Sequence, residues 1–139
     1  MYGQIEKAYG IKINNESDFP IDSNQEAFLR ALLRETDPFL SAQDADMNEV
    51  MFQIRECDFS FWNELYSGGG RPATFIGVPL KTWAYWELEG PEGIIASAKI
   101  DDPTESEVRM YEKAVPKYVK DLMASFNISP SIIWLTSTS

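Results

Sequence analysis

The chain has 139 residues, of which 44% are hydrophobic and 24% are charged, and its formal net charge at pH 7 is −10. This length fits one globular domain over residues 1–139, and eight Phe, six Tyr and four Trp residues provide ample core material, which excludes an intrinsically disordered chain. No apolar run is long enough for a transmembrane helix, and residues 1–7 lack the basic and then apolar order of a signal peptide, so we expect a cytoplasmic protein with no membrane partner.

The N-terminal part of the chain is predicted to hold a short strand and a helix. Residues 10–13 read as a strand, and a polar loop follows through Asp18–Pro20. Ser23–Glu26 has the pattern of a capping box, so a helix is expected to begin at Ser23 and to end at Asp37-Pro38. Its apolar face is formed by Phe28, Leu29, Leu32 and Leu33.

Residues 44–57 fit two kinds of secondary structure. Met47, Val50, Met51 and Ile54 have helical spacing, whereas Val50, Phe52 and Ile54 alternate as in a strand. We expect a helix at the beginning of this stretch and a strand near Asp58–Trp62.

The middle of the chain, residues 73–100, is predicted to be β-structure. Thr82–Leu88 is rich in aromatic residues that favour strands, and Gly90–Gly93 has the composition of a turn. Ile94–Ile100 is the expected partner strand of the hairpin.

The C-terminal part contains the clearest helical pattern, after a helix start at Asp101–Thr104. Apolar residues recur at steps of three and four at Val108, Tyr111, Val115, Tyr118, Val119, Leu122, Met123 and Phe126. Pro116 must either kink this helix or begin a second one, because proline lacks the amide donor. Ser129-Pro130 ends the pattern, and Ser131–Leu135 can add a final strand. The sequence therefore predicts an α+β domain with a central antiparallel sheet packed against two or three helices.

Most catalytic chemistry is excluded by the residues that the chain lacks. It contains no histidine and one cysteine, Cys57, which excludes histidine-dependent triads, His-ligated metals, intramolecular disulfides and zinc clusters. Glu56 and Asp58 disfavour a thiolate at Cys57, so we expect this residue to serve in packing. We therefore predict no cofactor, no metal site and no catalytic residue.

Two short stretches resemble known binding loops but lack residues that those loops need. The stretch from Asp44 opens like an EF-hand loop, but Glu49 stands where the loop needs Gly and Arg55 stands where it needs Glu. Gly68–Gly70 precede a strand-like run rather than a Lys and a helix, so they indicate a loop and not a phosphate site.

The negative charge is concentrated in residues 35–64, which contain eight acidic side chains and one basic side chain, Arg55. Aromatic residues within or just after this stretch include Phe52, Phe59, Phe61, Trp62 and Tyr66. Such a surface repels nucleic acid and attracts a basic protein. The same charge could serve solubility alone, with the aromatic residues in the core.

Small, acidic, cysteine-poor domains with no catalytic set resemble the immunity proteins of bacterial toxin and contact-dependent inhibition systems. The resemblance rests on size, charge and the acidic and aromatic stretch Asp44–Tyr66. It implies a protein that covers the active site of a basic nuclease toxin, with carboxylates in place of substrate phosphates. A phage-encoded inhibitor that imitates DNA would show the same charge signature.

The leading hypothesis is a non-enzymatic protein that binds and neutralises a basic protein partner, and that does not bind nucleic acid. The residues expected to supply complementary charge are Asp44, Asp46, Glu49, Glu56, Asp58 and Glu64, and the expected anchors are Phe61, Trp62 and Tyr66. A second hypothesis is a small enzyme or ligand-binding domain with a carboxylate pair, with or without Mg²⁺, beside Trp83, Tyr85 and Trp86. A third is a structural subunit of a larger assembly.

Overall fold

The computed structural model describes residues 3–13, 22–36, 46–57, 59–66, 72–84 and 101–138. Within these ranges lie four strands and four helices, in the order β1 (Gly3–Ile13), α1 (Ser23–Thr36), α2 (Met47–Glu56), β2 (Trp62–Tyr66), β3 (Pro72–Ala84), α3 (Glu105–Ala114), α4 (Lys117–Ser125) and β4 (Ser131–Thr138). The strands form one sheet in the order β2-β3-β1-β4, and every pairing is antiparallel. This arrangement confirms the predicted α+β class.

Strand β1 is the centre of the sheet. It pairs with β3 from Gln4 to Ile13 and with β4 from Gly3 to Gly10. Because successive side chains of a strand point to opposite faces, Tyr9, Ile11 and Ile13 lie on the same face of β1. All three belong to the main hydrophobic core.

The helices supply the rest of this core. Their fully buried members are Phe28, Leu29, Leu32 and Leu33 of α1, Val50, Met51 and Ile54 of α2, and Val119 and Met123 of α4. Tyr111 of α3 packs edge to face on Tyr9, with the two ring centroids 5.0 Å apart. A smaller cluster of Ala8, Phe75, Ile133 and Leu135 is buried on the other face of the sheet.

Several element boundaries differ from the predicted ones for identifiable reasons. The first strand begins at Gly3 rather than at residue 10, because Lys7 occupies a helix-facing position and interrupts the apolar alternation. Lys7 is accommodated there by an ion pair, with its Nζ 2.8 Å from Oε1 of Glu107. Helix α1 is capped by Asp22 rather than by Ser23, since the Asp22 carboxylate accepts a hydrogen bond from the Gln25 amide at 2.7 Å.

The ambiguous stretch forms helix α2, and the following strand begins only at Trp62. Pro116 begins a second C-terminal helix, which makes four helices in the described ranges. Thr104 caps α3 by accepting a hydrogen bond from the Glu107 amide. The predicted loops at 18–20 and 68–70, the turn at 90–93 and the strand at 94–100 lie outside the described residues. In the part of the chain that the structure describes, no helix has the length and apolar character to span a membrane.

Candidate protein-binding surface

Helix α2 places acidic side chains on its solvent side because its buried apolar stripe lies on the other side. Asp46 caps the helix by accepting a hydrogen bond from the Glu49 amide at 2.8 Å. Val50, Met51 and Ile54 are fully buried, which fixes the rotation of the helix about its axis. Residues opposite this stripe must therefore face solvent.

Phe52 is the exposed aromatic residue of this helix, with 52% of its surface accessible. Glu49 precedes it by three residues and Glu56 follows it by four, so both carboxylates share its helical face. Both glutamates are exposed. We call Glu49, Phe52 and Glu56 the α2 outer face, a large apolar ring between two acidic side chains.

The predicted acid Glu64 has a different role from those of the α2 outer face. Its Oε1 lies 3.1 Å from Nε of Arg55, which joins α2 to strand β2. The basic side chain of the acidic stretch is thus paired with Glu64, and the charges of the two groups offset one another.

The three predicted anchors differ in how far the structure describes them and in their burial. Phe61 is only 2% exposed and packs against Phe59 with ring centroids 5.0 Å apart, so it is a core residue and its assignment as an exposed anchor is wrong. Trp62 is half-buried against the core, and its buried Nε1 has no hydrogen-bond acceptor within the described parts of the chain. Tyr66 ends β2 opposite Pro72, and its side chain lies outside the described residues, as do Asp44 and Asp58.

Phe52 was within the acidic stretch but was not among the predicted anchors. If the stretch were a strand, Phe52 would share a face with Val50 and Ile54 and would be buried. In a helix the buried stripe excludes it. The sequence did not show whether this stretch has the period of a helix or that of a strand. This period determines whether the Phe52 ring is buried or exposed.

A second exposed aromatic residue belongs to helix α4. Tyr118 of α4 is 43% exposed. Partial burial raises its pKa, and negative charge at Cys57 and at Glu35 raises the pKa further.

Trp83, one of the aromatic residues of the second hypothesis, is engaged in packing at the other end of the sheet. Trp83 stacks on Trp134 with ring centroids 5.6 Å apart, and Lys7 Nζ lies 5.6 Å from the Trp134 centroid. The Trp134 indole N–H donates a hydrogen bond to Asp101 at 2.9 Å. These rings therefore stabilise the sheet end, while Tyr85 and Trp86 lie outside the described residues. Across the described ranges, no group of three acidic or cysteine side chains is arranged to hold a metal ion.

A cavity of about 430 Å³ opens between α3, α4 and the segment leading to β4. Its lining includes Tyr111, Glu112, Lys120, Met123 and Asn127. The Lys120 ammonium donates a hydrogen bond to the Glu112 carboxylate. The Tyr111 hydroxyl donates to the Met123 sulfur at 3.4 Å, and burial, then Tyr9 and Glu112, raise the Tyr111 pKa to about 12. Tyr111 is therefore uncharged at ordinary pH and forms part of the cavity wall.

Comparison of the chain with models of known protein families, with curated proteins and with solved structures finds no match. We therefore infer the function from the α2 outer face and from the cavity.

Proposed function

We propose that this protein is a non-enzymatic inhibitor that binds a basic protein through the α2 outer face. The observation that carries the proposal is the exposure of Phe52 between Glu49 and Glu56. An aromatic side chain gains stability when a partner buries it, and aromatic residues are frequent at the energetic centres of interfaces. The acidic residues around it orient a basic partner and accelerate the encounter.

The overall charge supports the same class of partner. A net charge of −10 repels nucleic acid and anionic membrane surfaces and attracts cationic proteins over a range of about 10 Å at moderate salt. Arg55 does not oppose this attraction strongly, since Glu64 is 3.1 Å away. A basic surface with a small apolar recess is the complement of the α2 outer face.

The more specific form of the proposal is an immunity protein that blocks a nuclease toxin. A nuclease active site binds phosphates with basic side chains, and carboxylates can occupy those positions. The resemblance in size and charge to immunity proteins supports this form. The proposal predicts that the protein inhibits the nuclease without degrading or modifying it.

Helix α3 provides matched controls for a test of the proposal. Met110 is the sixth residue of α3, as Phe52 is the sixth of α2, and it is 46% exposed. Glu105 is an exposed acid in the first turn of α3, as Glu49 is in α2. Phe52→Ala is thus compared with Met110→Ala, and Glu49→Lys with Glu105→Lys.

Tagged forms of these four variants and of the original protein are used to capture partners from native lysate at low and high salt. We expect a basic protein to be retained at low salt by the original protein, Met110→Ala and Glu105→Lys, and to be lost with Phe52→Ala and Glu49→Lys. Added original protein then inhibits any nuclease activity of the captured protein. Equal retention within both pairs, or capture of acidic proteins only, would contradict the proposal.

A second candidate function, a ligand-binding domain, is favoured by the cavity beside Glu112 and Lys120. Its volume is within the range of small-molecule sites. A ligand at about 100 times its dissociation constant would stabilise the fold by about 2.7 kcal/mol. Thermal melting against a metabolite library tests this function, and Ala124→Trp at the cavity wall should abolish any stabilisation that arises there.

A further inference from the structure

We propose that the cavity between α3 and α4 binds a free α-amino acid with an apolar side chain. This inference rests on the second candidate function, that of a ligand-binding domain, and it names the chemical class of the ligand. It is independent of the α2 outer face. Its basis is that hydrogen-bond donors, a carboxylate acceptor and apolar side chains line the same cavity.

The cavity depends on how helix α4 ends. Asn127 has a left-handed backbone conformation, with φ of 57°. Its amide donates a hydrogen bond to the Ala124 carbonyl at 3.0 Å. The Ile128 amide donates to the Met123 carbonyl at 2.9 Å, and these two bonds fix the turn. The chain therefore turns at the end of the helix, and residues 128–130 line the cavity together with α3 and α4.

A buried hydroxyl in the cavity wall donates to a weak acceptor. Tyr111 is only 2% exposed, and its hydroxyl donates to the Met123 sulfur at 3.4 Å. A thioether sulfur accepts hydrogen bonds weakly, whereas a carboxylate oxygen is a strong acceptor. Both side chains belong to residues that line the cavity. A ligand carboxylate in the cavity would therefore receive a stronger hydrogen bond from this hydroxyl than the sulfur does.

An ion pair in the cavity wall leaves one donor and one acceptor available. The Lys120 ammonium donates to Oε2 of Glu112 and, at 3.3 Å, to the Glu112 carbonyl. Because an ammonium has three N–H groups, one of them has no partner in the described part of the chain. Oε1 of Glu112 likewise accepts no hydrogen bond from the described residues. The remaining N–H can donate to a carboxylate, and Oε1 can accept from an ammonium.

These groups favour a zwitterion over an anion. A carboxylate alone would lie beside Glu112 and would be repelled by the net charge of −10. An α-amino acid has no net charge, and its ammonium can bond to Glu112 while Lys120 and Tyr111 bind its carboxylate. The cavity volume of about 430 Å³ has room for the whole molecule. The apolar side chain would contact the apolar part of the lining, which is Met123, Ala124, Ile128 and Pro130.

The test is isothermal titration calorimetry at neutral pH with L-leucine, L-methionine and L-phenylalanine. The amino acid that binds most tightly is then compared with its N-acetyl form, which lacks the ammonium, and with its amide form, which lacks the carboxylate. We expect the free amino acid to bind about tenfold more tightly than either derivative, because each derivative loses one charge-assisted hydrogen bond.

Matched variants show whether the cavity is the site. Glu112→Gln should weaken the free amino acid by about tenfold but not the N-acetyl form, and Lys120→Gln should weaken the free amino acid but not the amide form. Tyr111→Phe keeps the ring in the wall and should also weaken the free amino acid. The controls are Asp121→Asn and Lys117→Gln, which break an ion pair of α4 that does not line the cavity. Both controls should bind as the original protein does.

The outcomes separate this inference from the functions proposed above. If none of the three amino acids binds, if a derivative binds as tightly as the free form, or if the controls lose as much affinity as Glu112→Gln and Lys120→Gln, the amino acid is not the ligand. The ligand-binding function still stands in that case if a library compound stabilises the original protein but not Ala124→Trp, and it fails if no compound does. None of these results bears on the α2 outer face.

Discussion

At the scale of single residues, the backbones of β1 and β3 approach each other closely at Gly10 and Gly77. The two glycines are opposite each other in β1 and β3, with φ of 158° and 150°. A Cβ at Gly77 would lie 2.1 Å from the Tyr9 carbonyl oxygen, and one at Gly10 would lie 1.9 Å from that of Ile76. The two backbones can approach this closely only without side chains.

Gly77→Ala should therefore lower the free energy of unfolding by about 2–4 kcal/mol, since the strands must separate and the residue must adopt a disfavoured backbone conformation. Urea denaturation followed by circular dichroism measures the loss. Thr82→Ala, at an exposed position of the same strand, is the control and should cost less than about 1 kcal/mol. Equal and small losses in both variants would show that the strands are not constrained at Gly77.

The ring of Phe52 is exposed, whereas the ring of Phe61 lies in the core. Phe61→Ala should cost about 3–5 kcal/mol because it opens a cavity in the core, whereas Phe52→Ala should change the stability by less than about 0.5 kcal/mol. Both are measured by the same urea titrations. A large loss for Phe52→Ala would mean that its ring is buried in solution and cannot act as an anchor.

At the scale of elements, α2 shows how far the sequence determines the candidate site. The apolar spacing of Met47, Val50, Met51 and Ile54 was sufficient to predict a helix, but the competing alternation of Val50, Phe52 and Ile54 obscured which ring faces solvent. Tertiary packing resolves this choice, since the buried stripe must contact the core formed by α1 and the sheet. Local periodicity alone carries no information about that contact.

The C-terminal helices were predicted more completely, because Thr104 and Pro116 are strong local signals for helix starts. The first part of β1 was missed, because Lys7 is acceptable in the core only through Glu107, which is distant in the sequence.

Helix α3 provides a pH-dependent test of the core. The pKa of Tyr111 is raised from 10.0 to about 12 in the folded state, by burial first and then by Tyr9 and Glu112. The stabilisation from its neutral form is complete below pH 10 and is lost as the pH rises toward 12. The free energy of unfolding should therefore fall across this window, by at most about 1.4 kcal/mol per pH unit from this group.

Tyr111→Phe removes the titrating hydroxyl and should show a shallower decline over the same range. Urea titrations of both proteins at pH 9, 10, 11 and 12 give the difference between their free energies of unfolding. The titration of the lysines is shared by both proteins and cancels in this difference. Parallel declines in the two proteins would show that Tyr111 ionises as easily when folded as when unfolded.

At the scale of the whole molecule, the acidic surface lies on the outer side of α2, and the core lies between the helices and the sheet. The helices hold the main core on one face of the sheet, and Glu49 and Glu56 lie on the exterior of α2 on that side. Glu49 and Glu56 therefore contribute part of the net charge of −10 beside the exposed ring of Phe52. We propose that the α2 outer face, rather than the acidic surface in general, binds a basic protein.

The most direct test is a map of backbone amide shifts in the ¹⁵N-labelled protein as octa-arginine is added. We expect the largest shifts to fall within residues 47–57, to decrease at high salt, and to be reduced more by Glu49→Lys than by Glu105→Lys. Shifts spread evenly over all acidic residues, or centred on α3, would show that the α2 outer face is not the binding surface.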